Sequence, residues 1–352
     1  MSTIEFPGLW GLKLSISPIA LSLGNINIYW YGIIIATGFM LAVLLAMRDS
    51  KKLGIEQEDV IDLVLWAAPV AIICARLYYV IFKWEDYSRD LTEIFKIWHG
   101  GLAIYGGIIG GLVTAFFFAR HKKIPVFKLF DLGVPYLALA QSIGRWGNFI
   151  NQEAYGTNTT LPWGMTSNSI KSELSMLQMQ GVNVDPNLPV HPTFLYESVW
   201  NLATFFLLIW YRGRKKFEGE IFFLYMVLYG AGRFWIEGLR TDSLMLGNLR
   251  ISQVLAFVFA VTFAVLLFIK RKRAVEADDN VELGTSEYGA ILKHVKETET
   301  LQESEEITQN NQHTTEPIES ETREETTQND GKTNTDTVEE SQEKDERPDL
   351  GM

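Results

Sequence analysis

Long apolar runs separated by short polar stretches fill the first three quarters of the chain. Seven runs cover residues 26–47, 60–82, 102–119, 129–147, 193–211, 220–239 and 251–269. A bilayer core about 30 Å thick is crossed by about 20 apolar residues rising about 1.5 Å each in a helix. The first run, INIYWYGIIIATGFMLAVLLAM, and the last, ISQVLAFVFAVTFAVLLFI, meet that length without a charge. The fourth and sixth are weaker, because they carry Asp131, Gln141, Arg145, Arg233 and Glu237. The pattern predicts an all-α polytopic membrane protein with seven transmembrane helices.

The loops orient those helices. Arg48, Lys51 and Lys52 follow the first run, and Arg120, Lys122, Lys123 and Lys128 follow the third. Arg212, Arg214, Lys215 and Lys216 follow the fifth, and Lys270, Arg271, Lys272 and Arg273 follow the seventh. Every alternate loop is basic, and basic loops stay inside. The expected N-terminus is outside and the C-terminus cytoplasmic. The first 25 residues are mixed and hold one base, Lys13, unlike the basic opening of a cleavable leader.

Composition divides the 352 residues in two. From Ala274 onward there are 23 acids and 6 bases, which leaves 19 acids and 25 bases in residues 1–273. The net charge of −11 therefore comes from the tail. Rich in Glu, Thr, Gln, Asn and Ser, residues 274–352 bury too little apolar surface to offset chain entropy, so a disordered acidic cytoplasmic tail is expected after a membrane domain over 1–273. A single cysteine, Cys74, in an apolar run excludes a disulfide scaffold.

Ionisable groups inside membrane helices are costly and mark function by default. Under the expected topology five stretches carry their unusual residues to one level, the outer boundary of the bilayer. They are Tyr29, Trp30 and Tyr31; WHGGLAIYGG (98–107); GRWGNFINQEAYG (144–156); HPTFLYE (191–197); and GRFWIEGLR (232–240). Arg145 and Asn148 are three apart on one helix face, and Tyr229, Arg233 and Glu237 form a stripe at intervals of four that Arg240 extends. Two arginines on different helices, each with a nearby carboxylate (Glu153 and Glu237), make an anion clamp, because the guanidinium fork suits phosphate.

Each feature also has a plainer reading. Arginines at helix ends snorkel to headgroups, and Arg233–Glu237 can be a structural ion pair. Gly110 and Gly111 suit close helix packing. Tyr29 and Trp30 suit an aromatic belt, Arg76 with Asp62 suits packing, and Asp131 suits a helix start. Metal chemistry finds no ligand pairing, since His99 and His191 lie far apart, and no G-x-S-x-G elbow supplies a serine nucleophile. Nothing suggests nucleic acid as a partner.

GRWGNFINQEAYG closely resembles the signature of the prolipoprotein diacylglyceryl transferase family. IYWYG (28–32), WHGGLAIYGG, HPTFLYE and GRFWIEGLR follow that family's order, and the resemblance covers roughly residues 10–270. It implies a bacterial cell-membrane transferase that moves the diacylglyceryl group of phosphatidylglycerol onto the lipobox cysteine thiol of a prolipoprotein. The products are a thioether and glycerol phosphate, and no cofactor is needed. Arg145, Asn148, Glu153 and Gly156 fall on the signature positions, with Arg145 binding the headgroup. Arg233, Glu237 and Tyr31 fall on functional positions of the sixth and first spans. His191 and Arg240 join Arg145, Asn148 and Gly156 as substrate-binding candidates. The family's histidine before the second glycine pair is Tyr105 here, with His99 six residues earlier. The residue that removes the thiol proton therefore stays open among Tyr105, Tyr31, His99 and Glu153. An anion transporter or an intramembrane protease acting on the same precursors would share the apolar runs.

Overall fold

The computed structural model describes residues 2–24, 26–240, 245–246, 249–285 and five positions between 291 and 298. It opens with strands β1 (Ser2–Phe6), β2 (Leu12–Ile16), β3 (Ile19–Leu23) and β4 (Ile26–Tyr29). Helices α1 (Trp30–Ser50), α2 (Gln57–Phe82), the single turn α3 (Trp84–Tyr87), α4 (Ile104–His121) and α5 (Val126–Asn151) follow. Then come β5 (Thr166–Ser167), α6 (Asn168–Met179), α7 (Thr193–Tyr211), α8 (Glu220–Glu237), β6 (Met245–Leu246), β7 (Leu249–Arg250) and α9 (Ile251–Thr285).

Each of the seven apolar runs holds a long helix, the first only after opening in β4, and six of the helices are long and apolar enough to cross a membrane. The protein is thus a multi-pass, mostly helical membrane protein. A helix suits that setting because it satisfies its own backbone hydrogen bonds. The one outside the count is α8, which carries Glu220, Arg233 and Glu237 in 18 residues. The all-α expectation needs correction. β2, β1 and β5 form a three-stranded antiparallel sheet, and β3–β4 and β6–β7 are two-stranded ribbons. Their strands are too short to stand out against the longer apolar runs.

α5 is the central helix, half buried over its apolar stretch, whereas α9 is nearly all exposed. Ala138 packs with Leu208 and Ile221, and Leu129, Leu132 and Tyr136 pack with Phe118 and Ala119. A second core of Ile4, Tyr155, Met165, Ile170, Leu174 and Val190 sits over the end of α5 with Phe149 and Phe194. This cap is built from β1, the loop after α5, and α6.

Polar groups within the bundle hold helix ends. Asp131, 1% exposed, accepts the backbone N–H groups of Gly219 and Phe222 at 2.9 Å each. It caps the start of α8 rather than of its own helix. At that same end Arg212 pairs with Asp49 at 2.9 Å, and Tyr136 donates to Asp49 as well. Arg76, 4% exposed at the opposite end, donates to the carbonyls of Glu93 (2.6 Å), Ile94 (3.0 Å), Gly100 (2.5 Å) and Gly101 (2.9 Å). One guanidinium thus folds the α3–α4 connection, which fits its reading as a packing residue.

α9 continues past residue 273, through Thr285. Ala274, Val275 and Ala277 suit a helix, and Lys272 reaches Glu276 one turn on at 3.7 Å. The rest of the acidic tail lies largely outside the described residues.

α2 and α4 meet through glycines. A Cβ at Gly106 would lie 2.3 Å from the Cys74 carbonyl, and one at Gly110 2.8 Å from Cys74 Cβ. Gly111 has nothing within 4 Å, so the packing pair is Gly106 and Gly110. Gly106→Leu should lower stability by at least about 1–3 kcal/mol through overpacking, whereas Gly111→Leu should be near neutral. Thermal unfolding of the detergent-solubilised protein checks both.

Candidate active site

The signature starts on the last turns of α5 and ends in a strained connection. Ser142 and Ser198 exchange hydrogen bonds between α5 and α7, and Trp146 Nε1 donates to Ser198 Oγ at 3.2 Å. Phe149 stacks on Phe194 with ring centroids 4.7 Å apart. These contacts fix the rotation of α5 so that Arg145 faces α7. Beyond the helix end, Gln152 (φ 57°) and Ala154 (φ 56°) both adopt the left-handed conformation that favours glycine. The two kinks turn Glu153 back, and Asn148 Nδ2 donates to its Oε1 at 2.9 Å.

Gly156 lies where three chain segments converge. Its N–H donates to the His191 carbonyl at 2.9 Å, and Thr157 N–H donates to the Leu239 carbonyl at 2.7 Å. A Cβ at Gly156 would lie 2.8 Å from the Leu239 carbonyl oxygen and 2.9 Å from His191 Cβ. Only glycine lets the signature, the start of α7 and the end of α8 approach so closely. Arg240 reaches the site through this bridge, Gly156 pairing antiparallel with Arg240. It is not a further turn of the stripe, because α8 ends at Glu237.

At the centre is Glu197, on α7 and 7% exposed. Its Oε2 pairs directly with Arg145 Nη2. Its Oε1 lies 3.7 Å from Nη1 of Arg233 and 3.7 Å from Nη1 of Arg240. Arg233 Nη2 also pairs with Glu237 Oε2 at 2.7 Å, and Glu237 is 2% exposed. Arg145 Nη1 donates to Asn148 Oδ1 at 3.3 Å. Three guanidiniums from α5, α8 and the loop beyond α8 thus share two buried carboxylates. Three partly buried guanidiniums held this close suit the binding of a phosphate.

The carboxylate expected beside Arg145 was Glu153. The structure corrects this: Glu197 takes that position, and Glu153 accepts from Asn148 and Asn151 instead. The pairing crosses between helices, which sequence spacing does not record. Glu197 was nonetheless visible as an ionisable residue inside an apolar run, at the end of HPTFLYE. Arg250 is another addition, with Nη1 donating to the Glu237 carbonyl at 2.5 Å.

Tyr31 reaches the signature helix, since its ring packs on Gly147, with Cδ2 2.6 Å from where a Cβ would stand. His99 and Tyr105 make other contacts. His99 Nδ1 contacts Glu93 Oε2 at 2.9 Å, and Tyr105, 65% exposed, lies beside the Tyr78 ring on α2. The hydrogen bond from Lys96 holds the Glu93 carboxyl below the usual carboxylate range. His191 Nδ1 lies 3.1 Å from the Tyr196 hydroxyl, which accepts from Trp163 Nε1 at 2.7 Å.

Two spaces flank α7. An apolar groove of about 410 Å³ between α1, α5 and α7 is lined by Ile34, Leu139, Ile143, Trp146, Leu195 and Leu202 among others. On the other side a slot of about 20 Å³, room for about one water, reaches Glu197, Tyr229 and Arg233. Among the described residues no group of three His, Cys, Asp or Glu side chains is placed to hold a metal.

Burial pushes the His191 pKa below its ordinary value. The unfolded chain therefore binds a proton, near pH 6.5, before the folded one does, and stability falls as pH drops through that value. His191→Gln should flatten the fall in thermal stability between about pH 7 and about pH 5, measured in detergent against the unaltered protein.

Comparison with known proteins identifies the family. The family model for prolipoprotein diacylglyceryl transferase matches residues 18–269. A phosphatidylglycerol–prolipoprotein diacylglyceryl transferase of Limosilactobacillus reuteri (strain DSM 20016) is 46% identical over 270 residues, 75% of this chain and 95% of the relative. The enzyme of the same name from Geobacillus kaustophilus (strain HTA426) is 47% identical over 256 residues, 72% of this chain and 92% of the relative. The one from Listeria welshimeri is 44% identical over 256 residues, 73% and 90% of the two chains. The matched stretch contains every arginine and carboxylate of the cluster, and the chain belongs to the prolipoprotein diacylglyceryl transferase family.

Proposed function

We propose that this chain transfers the diacylglyceryl group of phosphatidylglycerol to the lipobox cysteine thiol of prolipoproteins at the Glu197 cluster. The observation that carries the reading is the convergence of Arg145, Arg233 and Arg240 on one buried carboxylate. The lipid is an anionic phosphodiester with two acyl chains. Its phosphate suits the guanidiniums, and its chains suit the apolar groove beside Trp146.

In the reaction the acceptor sulfur forms a bond to the terminal glycerol carbon of the diacylglyceryl group. The carbon–oxygen bond to phosphate breaks, and its electron pair stays on the departing glycerol phosphate. Charge grows on that phosphate as the bond breaks, so preformed guanidiniums lower the barrier. Glu197, Glu237 and Asn148 hold the forks in place beforehand, and Gly156 sets the approach of Arg240. The nucleophile is the thiolate. Tyr31, which packs on the signature, and Glu153, within it, are candidates for removal of its proton, beside His99 and Tyr105.

The topology that fits this chemistry has all seven long helices spanning the bacterial cell membrane, with the N-terminus outside and the C-terminus cytoplasmic. The cluster then meets the outer leaflet, where an exported acceptor arrives.

Membranes carrying the protein, phosphatidylglycerol and a lipobox peptide should yield a peptide heavier by one diacylglyceryl group, read by mass. The cysteine-to-serine peptide should gain nothing. A shortened peptide would indicate a protease, and unmodified peptide with lipid movement a transporter. Arg233→Ala, Arg145→Lys and Glu197→Gln should each lower the rate by about a hundredfold or more. Full activity in folded Arg233→Ala would overturn the phosphate clamp.

A further inference from the structure

The β3–β4 ribbon has two unlike faces. Register pairs Leu21 with Ile28 and Leu23 with Ile26, while Ser22 pairs with Asn27. Alternation along a strand sets Leu21, Leu23 and Ile28 on one face and Ser22 and Asn27 on the other. The apolar face is uncovered by protein: Leu21 is 51%, Leu23 59% and Ile28 37% exposed. On the polar face Ser22 Oγ donates to Asn27 Oδ1 at 2.8 Å.

Such a ribbon is poorly suited to water. Two strands alone are marginal there, and exposed edges are normally guarded by charge. No Asp, Glu, Lys, Arg or His occurs between Leu14 and Met47, a stretch that holds the whole ribbon and nearly all of α1. Nor can the ribbon sit within the hydrocarbon, where its unpaired edge groups would find no partner.

Its attachment selects what covers it. β4 ends at Tyr29, the N-cap residue of α1, so the ribbon runs into a membrane-crossing helix without a break. The Trp30 N–H donates to the Pro18 carbonyl at 2.9 Å, which staples the other end of the ribbon to the same point. Exposed Tyr29 and Trp30 mark the level where aromatic residues meet headgroups. We infer that the β3–β4 ribbon lies flat in the headgroup layer, with Leu21, Leu23 and Ile28 on the lipid and Ser22 and Asn27 toward water. The leaflet is the outer one under the topology proposed above; the lipid contact itself does not depend on that topology. The ribbon then holds the start of α1, and with it Tyr31 against Gly147, at a fixed depth.

The test places nitroxide labels on the full chain in a Cys74→Ala background, in vesicles of phosphatidylglycerol and phosphatidylethanolamine. Positions are Leu21→Cys, Ser22→Cys, Leu23→Cys and Asn27→Cys, with Lys171→Cys on α6 as the aqueous control and Leu44→Cys on α1 as the lipid control. Collision with oxygen should exceed collision with a water-soluble nickel chelate at positions 21 and 23, as at Leu44. The reverse should hold at 22 and 27, as at Lys171. Labels at 21 and 23 that behave like Lys171 would overturn the inference. So would labels at both positions shielded from both reagents, which would mean that a second copy or another protein covers the face. If Cys74→Ala does not fold, a benzophenone amino acid at Leu23 in the otherwise native chain gives the same decision. Lipid adducts support the contact, and protein adducts or none overturn it. Labelling of Ser22→Cys by an impermeant thiol reagent in inverted vesicles but not in intact cells would reverse the leaflet alone.

Discussion

Everything at the candidate site turns on one buried carboxylate. A carboxylate as enclosed as Glu197 persists only when paired, because the cost of removing its charge from water must be offset. Arg145 supplies the direct pair, and Arg233 and Arg240 stand 3.7 Å away. Those arginines come from α5, α8 and the loop beyond α8, so one group joins three elements. The converse constraint holds as well. Three guanidiniums this close would repel each other without Glu197 and Glu237 between them. Guanidiniums this close are held ready because the carboxylates are already in place.

The surrounding fold serves that arrangement. The hydroxyl pair Ser142–Ser198 and the stacked rings of Phe149 and Phe194 fix α5 against α7. Gly156 admits the backbone of Leu239 and His191 at contact distance. At the other end of the bundle Asp131 and Asp49 tie the start of α8 and the end of α7 to α5 and α1. A helix held at both ends cannot rotate, and an arginine on it keeps its direction. The left-handed Gln152 and Ala154 belong to the same economy of position, since backbone strain persists only where the neighbouring structure enforces it.

Much of the fold was legible because membrane insertion is a matter of composition over about 20 residues. A long helix fills most of each apolar run, and Arg145, Asn148, Arg233 and Glu237 are joined through contacts at one cluster, with Tyr31 against Gly147 on the same helix as Arg145. His99 and Tyr105 share that level by sequence but are held on the α2–α4 side. Level along the membrane normal follows from position in a run; position around the bundle does not. The partner of Arg145 was misassigned for the same reason. Glu153 is near in sequence, whereas Glu197 is near only after α5 and α7 pack.

By itself the sequence determined the apolar helices, the separation of a basic body from an acidic tail, and most of the charged residues buried at the cluster. These follow from local hydropathy, loop charge and the cost of placing ions in a low-dielectric medium. Tertiary structure decided which carboxylate binds which arginine, why residue 156 has room only for glycine, and that a short apolar ribbon precedes the first span. Those depend on helix rotation and on close approach between distant segments, which no single run of residues contains.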